Sequence, residues 1–185
     1  MRYINEDGSL DRQQMFNDVW AGFERQGWHP SYRLSDEDRG VNYDVPDHDG
    51  YFECPGFEYY CAYRGEVING IQTCCGIGHL IPDDSYDAEE FEGVEIVGYS
   101  SFVENENLVD KVVTAVFGGR PLLSDSDNKF FLTFQEIHDN VVTQELVYNS
   151  GERPFSESIQ VAKERLEKEM REFAKNSGLA ILNGG

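Results

Sequence analysis

Apolar residues recur at intervals of three and four along four stretches of the chain, and that period predicts helices. The first runs from Leu10 to Gln26, with Met15, Phe16, Val19, Trp20 and Phe23 on one face. Ser9 or Asp11 can cap it and Gly27 can end it. The second spans 105–117, lined by Leu108, Val109, Val112, Val113, Val116 and Phe117. Its valines lower intrinsic helix propensity, so packing must hold it. The third covers 128–142, with Phe130, Phe131, Phe134, Ile137, Val141 and Val142 inside and Asp127 as its cap. The fourth, 156–176, carries a narrow stripe of Ile159, Ala162, Leu166, Met170 and Phe173, closed by Gly178. Glu164–Lys168 and Glu167–Arg171 stand in the favourable i, i+4 order on it.

Between the first and second helices the period changes. "FEYYCAYR" (57–64) and "IQTCCGI" (71–77) suit two strands. "GEVING" joins them, and Asn69-Gly70 is a hairpin-turn dipeptide. Pro82 ends the second strand, and Asp83 or Asp84 can cap a short helix. Residues 95–103 read as a further strand or an extended loop. Residues 29–56 are polar and rich in Pro, Gly and Asp, so they read as irregular, with His29 and His48 in water. Asp47 and Asp49 around His48 are either a cation site or a solvated acidic loop. The expected fold is α+β in a single domain: a short antiparallel hairpin packed against about four helices. The long C-terminal helix then lies outside or at an interface.

Length agrees with one domain, since 185 residues with 39% hydrophobic content suffice for one packed core. There is no apolar run near the ~20 residues that a membrane helix needs. The opening "MRYINEDGSLDRQQ" lacks the apolar core of a secretory signal. The expectation is a cytoplasmic protein without membrane contact, its four cysteines thiols or metal ligands rather than disulfides.

Charge changes the picture more. The chain carries 35 acidic against 15 basic residues, a net charge of −20. Direct nucleic-acid binding is disfavoured, because phosphate contacts require Lys and Arg. The acidity is also localised. The 46 residues from 65 to 110 contain no Lys or Arg, but include Asp83, Asp84, Asp87, Glu89, Glu90, Glu92 and Glu95. A second cluster holds Asp36, Glu37, Asp38, Asp44, Asp47, Asp49 and Glu53. Either these form a solvated face, or they form a negative surface for a basic partner.

The densest chemistry lies in "CAYRGEVINGIQTCCGIGHLIPDD" (61–84). Cys75-x3-His79 has an acceptable zinc-pair spacing, and Cys54-x6-Cys61 is too wide for a knuckle. A hairpin of 57–64 with 71–77 would set Cys61 across from Cys74 or Cys75. Cys61, Cys75 and His79 would then converge, with Cys54 as fourth ligand of one structural zinc. The other reading packs the thiols as small hydrophobes, with no cofactor. A cysteine nucleophile would need His79 or His138 as base. His138 and Asp139 are adjacent on a helix and point apart, which is poor geometry for a pair. There is no P-loop, dinucleotide fingerprint or H-E-x-x-H.

"CAYRG…CCGIGHLIPDDSYD", "FFLTFQEIHDNV" (130–141) and the closing "FAKNSGL" (173–179) together resemble a group of small bacteriophage and bacterial proteins. Those proteins share C-A-Y-R-G, a turn, C-x-x-G-x-L-I-P-D-x-x-Y and, later, L-Q-x-x-H-D. The resemblance places Cys61 and Cys75 on motif cysteines and leaves Cys54 and Cys74 outside. It implies a phage or mobile-element origin and carries no catalytic residue.

Three functional expectations result. The first is a non-enzymatic accessory protein whose acidic residues bind a basic surface of a host protein, imitating nucleic-acid charge. The second is a zinc- or thiol-dependent enzyme centred on the hairpin Cys/His cluster. The third is a self-assembling or virion-associated part, a homo-oligomer through its last helix.

Overall fold

Asp11 accepts a hydrogen bond from the Gln14 backbone N–H and opens α1, Arg12–Arg25. The computed structural model describes residues 1–59, 61–91 and 106–181. Within them lie α2 (Ala88–Phe91), α3 (Glu106–Phe117), α4 (Asp125–Val142) and α5 (Phe155–Ser177). Four short strands form two antiparallel pairs: β1 (Arg33–Leu34) with β2 (Phe57–Tyr59), and β3 (Arg64–Ile68) with β4 (Ile71–Cys74). The architecture is therefore α+β, and the long helices start and stop within a few residues of the expected positions. Ser124, rather than Asp127, caps α4; its hydroxyl accepts from the Asp127 N–H. Gly178 ends α5 in the left-handed conformation at φ 67°. The expectation for 95–103, and the start of the helix at 105, lie outside the described residues.

One core joins these elements. Phe173 of α5 meets Phe16 of α1 and Phe130 and Phe134 of α4, at ring-centroid distances of 6.4, 5.3 and 5.5 Å. Phe117 of α3 packs on Phe131 of α4. Arg12 bonds the Asp127 carboxylate at 2.8 Å, tying the starts of α1 and α4 together. The stripe Ser158, Ala162, Leu166, Met170 and Ala174 buries one side of α5. Its outer side carries the Arg171–Glu167 pair at 2.6 Å.

The hairpin differs from its expected form. Asn69 and Gly70 both have positive φ, 53° and 79°, as a two-residue turn requires. Ile68 therefore faces Ile71, Val67 faces Gln72, and Arg64 faces Cys74 across an irregular step. Most of "GEVING" is strand, not loop. Phe57–Tyr59 pairs with Arg33–Leu34 instead. Cys61 falls between the two sheets, off the hairpin, and the expected pairing of Cys61 with Cys74 or Cys75 does not occur. His29 also departs from expectation: it is buried, its Nδ1 lies 3.0 Å from the Pro30 carbonyl, and burial lowers its pKa.

After α4 the chain makes a wide π-type turn, Thr143–Tyr148. Its Glu145 carboxylate is nearly buried and accepts from Arg153 at 2.5 Å and Arg165 at 2.8 Å. Burial pushes its pKa up, but the bonds from Arg165, Asn149 and Arg153 outweigh it, and the net shift is downward. The folded state thus favours the carboxylate. That contribution is complete above the ordinary value of 4.5 and disappears as pH falls through the lower folded value. Below pH 4.5, wild-type urea midpoints should fall more steeply than those of Glu145→Gln; parallel curves would refute this role for the carboxylate.

Candidate functional site

Gln135, His138 and Asp139 stand at i, i+3 and i+4 on α4 and share one face. Opposite them lie Ser31, the 61–63 segment and the turn that follows β4. The Ser31 backbone N–H donates to His138 Nε2 at 2.9 Å. A backbone N–H is always a donor, so Nε2 is the acceptor and Nδ1 carries the proton. His138 Nδ1–H then donates to Asp139 Oδ1 at 3.1 Å. Gln135 Nε2 donates to the same oxygen at 2.6 Å. The Gln135 carbonyl accepts the Cys75 thiol at 2.9 Å, and Cys75 Sγ accepts the Gly78 N–H at 3.3 Å. The Ser31 hydroxyl donates to the Ala62 carbonyl at 2.7 Å. His138, Ser31 and Cys75 are fully buried, so a continuous polar chain crosses the core. The Cys61 thiol lies within 4.8 Å of ligand atoms of His138 and Asp139.

Adjacent helix positions do pair here, contrary to expectation. The i, i+4 bond from Gln135 draws the Asp139 carboxylate back along the helix, toward the N-terminal lean of its neighbours, and over the His138 ring.

Both ring nitrogens of His138 are engaged, one by the Ser31 N–H and the other by the Asp139 carboxylate. A thiol nucleophile at Cys61 needs a free imidazole lone pair, and Ser31 already uses the one that His138 has. A metal on Nδ1 would force a proton onto Nε2, setting two donors against each other at Ser31. In this bonding pattern neither ring nitrogen of His138 is open to a metal or to the Cys61 thiol.

The four residues expected to share a zinc are spread out. No three of Cys54, Cys61, Cys75 and His79 bring their ligand atoms within 4.8 Å of one another. Cys54 is exposed and contacts the Pro55 and Leu146 carbonyls. Cys75 bonds Gln135. His79 packs edge-on against Phe23, directly over Gly22, on the other side of the turn. The hairpin register decides this, because it carries Cys61 beyond the strand pair.

No family model, curated protein or solved structure matches this chain.

The acidic residues lie where charge belongs. Asp83, Asp84, Asp87, Glu89 and Glu90 are exposed. Asp83 pairs with Arg64 at 2.9 Å and Glu90 with Lys111 at 2.6 Å. Asp87 Oδ1 accepts from the Glu89 N–H and starts α2. Glu92 and Glu95 lie outside the described residues. In the second cluster, several carboxylates shape the irregular segment itself. Asp38 accepts from Ser35 and Tyr43, Asp47 from the N–H groups of Asp49 and Tyr51, and Asp44 from the Ser156 N–H at the start of α5. Glu37, Asp49 and Glu53 are exposed there, as are Val41, Val45 and Tyr51, at 50%, 63% and 68%. Sequence reading missed Ser31, whose role rests on its backbone N–H, and Gln135, whose i+3 and i+4 spacing to His138 and Asp139 was visible.

Proposed function

We propose that this chain is a non-enzymatic binding protein whose acidic surface engages a basic surface of another protein. The observation that carries the reading is the segment 36–53. It holds three exposed apolar side chains, Val41, Val45 and Tyr51, among the exposed carboxylates of Asp36, Glu37, Asp44, Asp47, Asp49 and Glu53. Apolar anchors ringed by charge are the usual anatomy of a contact surface, and the charge selects a basic partner. Asp83, Asp84, Asp87, Glu89 and Glu90 extend the negative surface, with Glu92 and Glu95 beside them in sequence. The resemblance to phage proteins favours a host protein as partner, and competition with nucleic acid as the consequence.

The test isolates the partner by affinity capture and then measures the purified pair by calorimetry. Affinity should fall steeply between 50 and 300 mM salt, by roughly tenfold or more for a charge-steered pair. The variants Asp49→Lys with Glu53→Lys, and Glu89→Lys with Glu90→Lys, should each weaken binding while circular dichroism stays native. Tyr51→Ala should weaken it at every salt concentration. Displacement of a DNA duplex from the partner would mark nucleic-acid mimicry. Unchanged affinity in both reversal variants would sink the proposal.

A further inference from the structure

In this strongly acidic protein, three of the fifteen basic residues gather at one place. Arg2, Arg25 and Arg64 line a cavity of about 350 Å³ between α1, the hairpin and the 78–83 turn. One carboxylate, that of Asp83, stands among the lining residues. Like charges repel, so gathering three guanidinium groups costs free energy unless something negative offsets it. The acceptors offered to Arg64 are largely neutral: the Ile81 carbonyl at 2.8 Å and the Cys74 sulfur at 3.0 Å, with the Tyr86 ring under its guanidinium. Asp83 bonds Arg64 at 2.9 Å, but its side chain is 98% exposed while that of Arg64 is 14% exposed. An ion pair so open to water contributes little. Arg2 donates to the Leu80 carbonyl at 3.0 Å and to the Tyr3 hydroxyl at 2.9 Å, both neutral acceptors. The Arg25 side chain is exposed and makes no hydrogen bond or ion pair among the described residues.

The geometry points to this cavity as a binding site for a small organic oxyanion, a phosphate ester or a carboxylate, held by Arg2, Arg25 and Arg64. Three features of the lining agree. Guanidinium groups match phosphate and carboxylate oxygens in planar, two-point fashion. Ile71, Ile81 and Pro82 supply apolar wall for a carbon skeleton. The volume lies in the range of small-molecule sites and exceeds that of an inorganic ion.

His79 adds an internal reporter. It lines the same cavity, and its Nε2 is buried without a hydrogen-bond partner among the described residues. Burial, then the charges of Arg25 and Arg64, hold its pKa down at about 3. A bound anion would offset the arginine charges and raise that value. Asp83 acts as a weak internal competitor for Arg64, seated where a ligand oxygen would sit.

This cavity shares only Asp83 with the acidic contact surface, and its test needs no protein partner. Isothermal titration at low salt would use inorganic phosphate, pyrophosphate and citrate in turn. Pyrophosphate or citrate should bind more tightly than inorganic phosphate, the choice between them naming the phosphoryl or carboxylate class. Arg25→Ala should weaken the preferred anion by roughly tenfold or more, the loss of one charge-assisted contact. Asp83→Asn should tighten it several-fold by removing the competing negative charge beside Arg64. Both side chains are exposed, so each variant should keep the wild-type circular dichroism spectrum. The His79 resonance should titrate at higher pH with ligand than without. No binding by any of the three anions overturns the proposal. So does binding that both variants leave unchanged, which would mark an adventitious surface ion.

Discussion

Alanine at Gly78 should destabilise the protein by about 3 kcal/mol or more, the upper range for overpacking a tight core. A Cβ built on Gly78 overlaps the Tyr63 carbonyl oxygen. The obstacle is backbone, not the flexible end of a side chain, so nothing nearby can move aside cheaply. The same holds at Gly76, where a Cβ meets the Phe134 carbonyl. These two glycines let the turn after β4 slide between the 61–63 segment and α4. That closeness also sets the Gly78 N–H on Cys75 and Cys75 on Gln135. Urea unfolding would measure the loss. The control is Gly50→Ala, at φ 86° with open space around it, which should cost only the backbone strain, roughly 1 kcal/mol. Equal losses at the two sites would show that close approach is not what Gly78 provides.

Replacing His138 with alanine should cost a comparable amount, about 3–5 kcal/mol, through a cavity and an abandoned donor. The ring is fully buried and stacks on Phe23 at 6.4 Å. Without it, among the described residues, the Ser31 N–H loses its acceptor and Asp139 keeps only Gln135. Cys61→Ser should cost less, because it keeps a hydroxyl at the position of the half-buried thiol and opens no ring-sized cavity. Nitrogen-15 spectra of the imidazole should show the proton on Nδ1. An Nε2–H tautomer, or a Cys61 thiol whose alkylation rate collapses in His138→Ala while the protein stays folded, would restore the nucleophile reading.

The helices were legible because their signal is local. Met15 to Phe23 on α1, Phe130 to Val142 on α4 and Ile159 to Phe173 on α5 repeat at the helical period; burial follows the first two sets, and on α5 it centres on Ala162, Leu166 and Met170 with Ile159 and Phe173 half-buried at the margin. The hairpin was half legible. Asn69-Gly70 identified the turn, and a two-residue turn demands that pairing begin at Ile68 and Ile71. The aromatic run 57–64 drew the strand assignment away from Gly65–Ile68. Its start, Phe57–Tyr59, pairs with Arg33–Leu34, a strand too short to show any period. His29 stands in a polar stretch that predicts solvation, and only its packing against Tyr32 buries it.

By itself the sequence determined the long helices, the turn at Asn69-Gly70, and the excess and location of negative charge. Each depends on residues close together in the chain. Tertiary structure alone decided which side chains meet. The meeting of Ser31 with His138 spans 107 positions, and that of Cys75 with Gln135 spans 60. The gathering of Arg2, Arg25 and Arg64 is equally non-local. No local period records such contacts, because they depend on how whole elements pack and on glycines that let backbones approach.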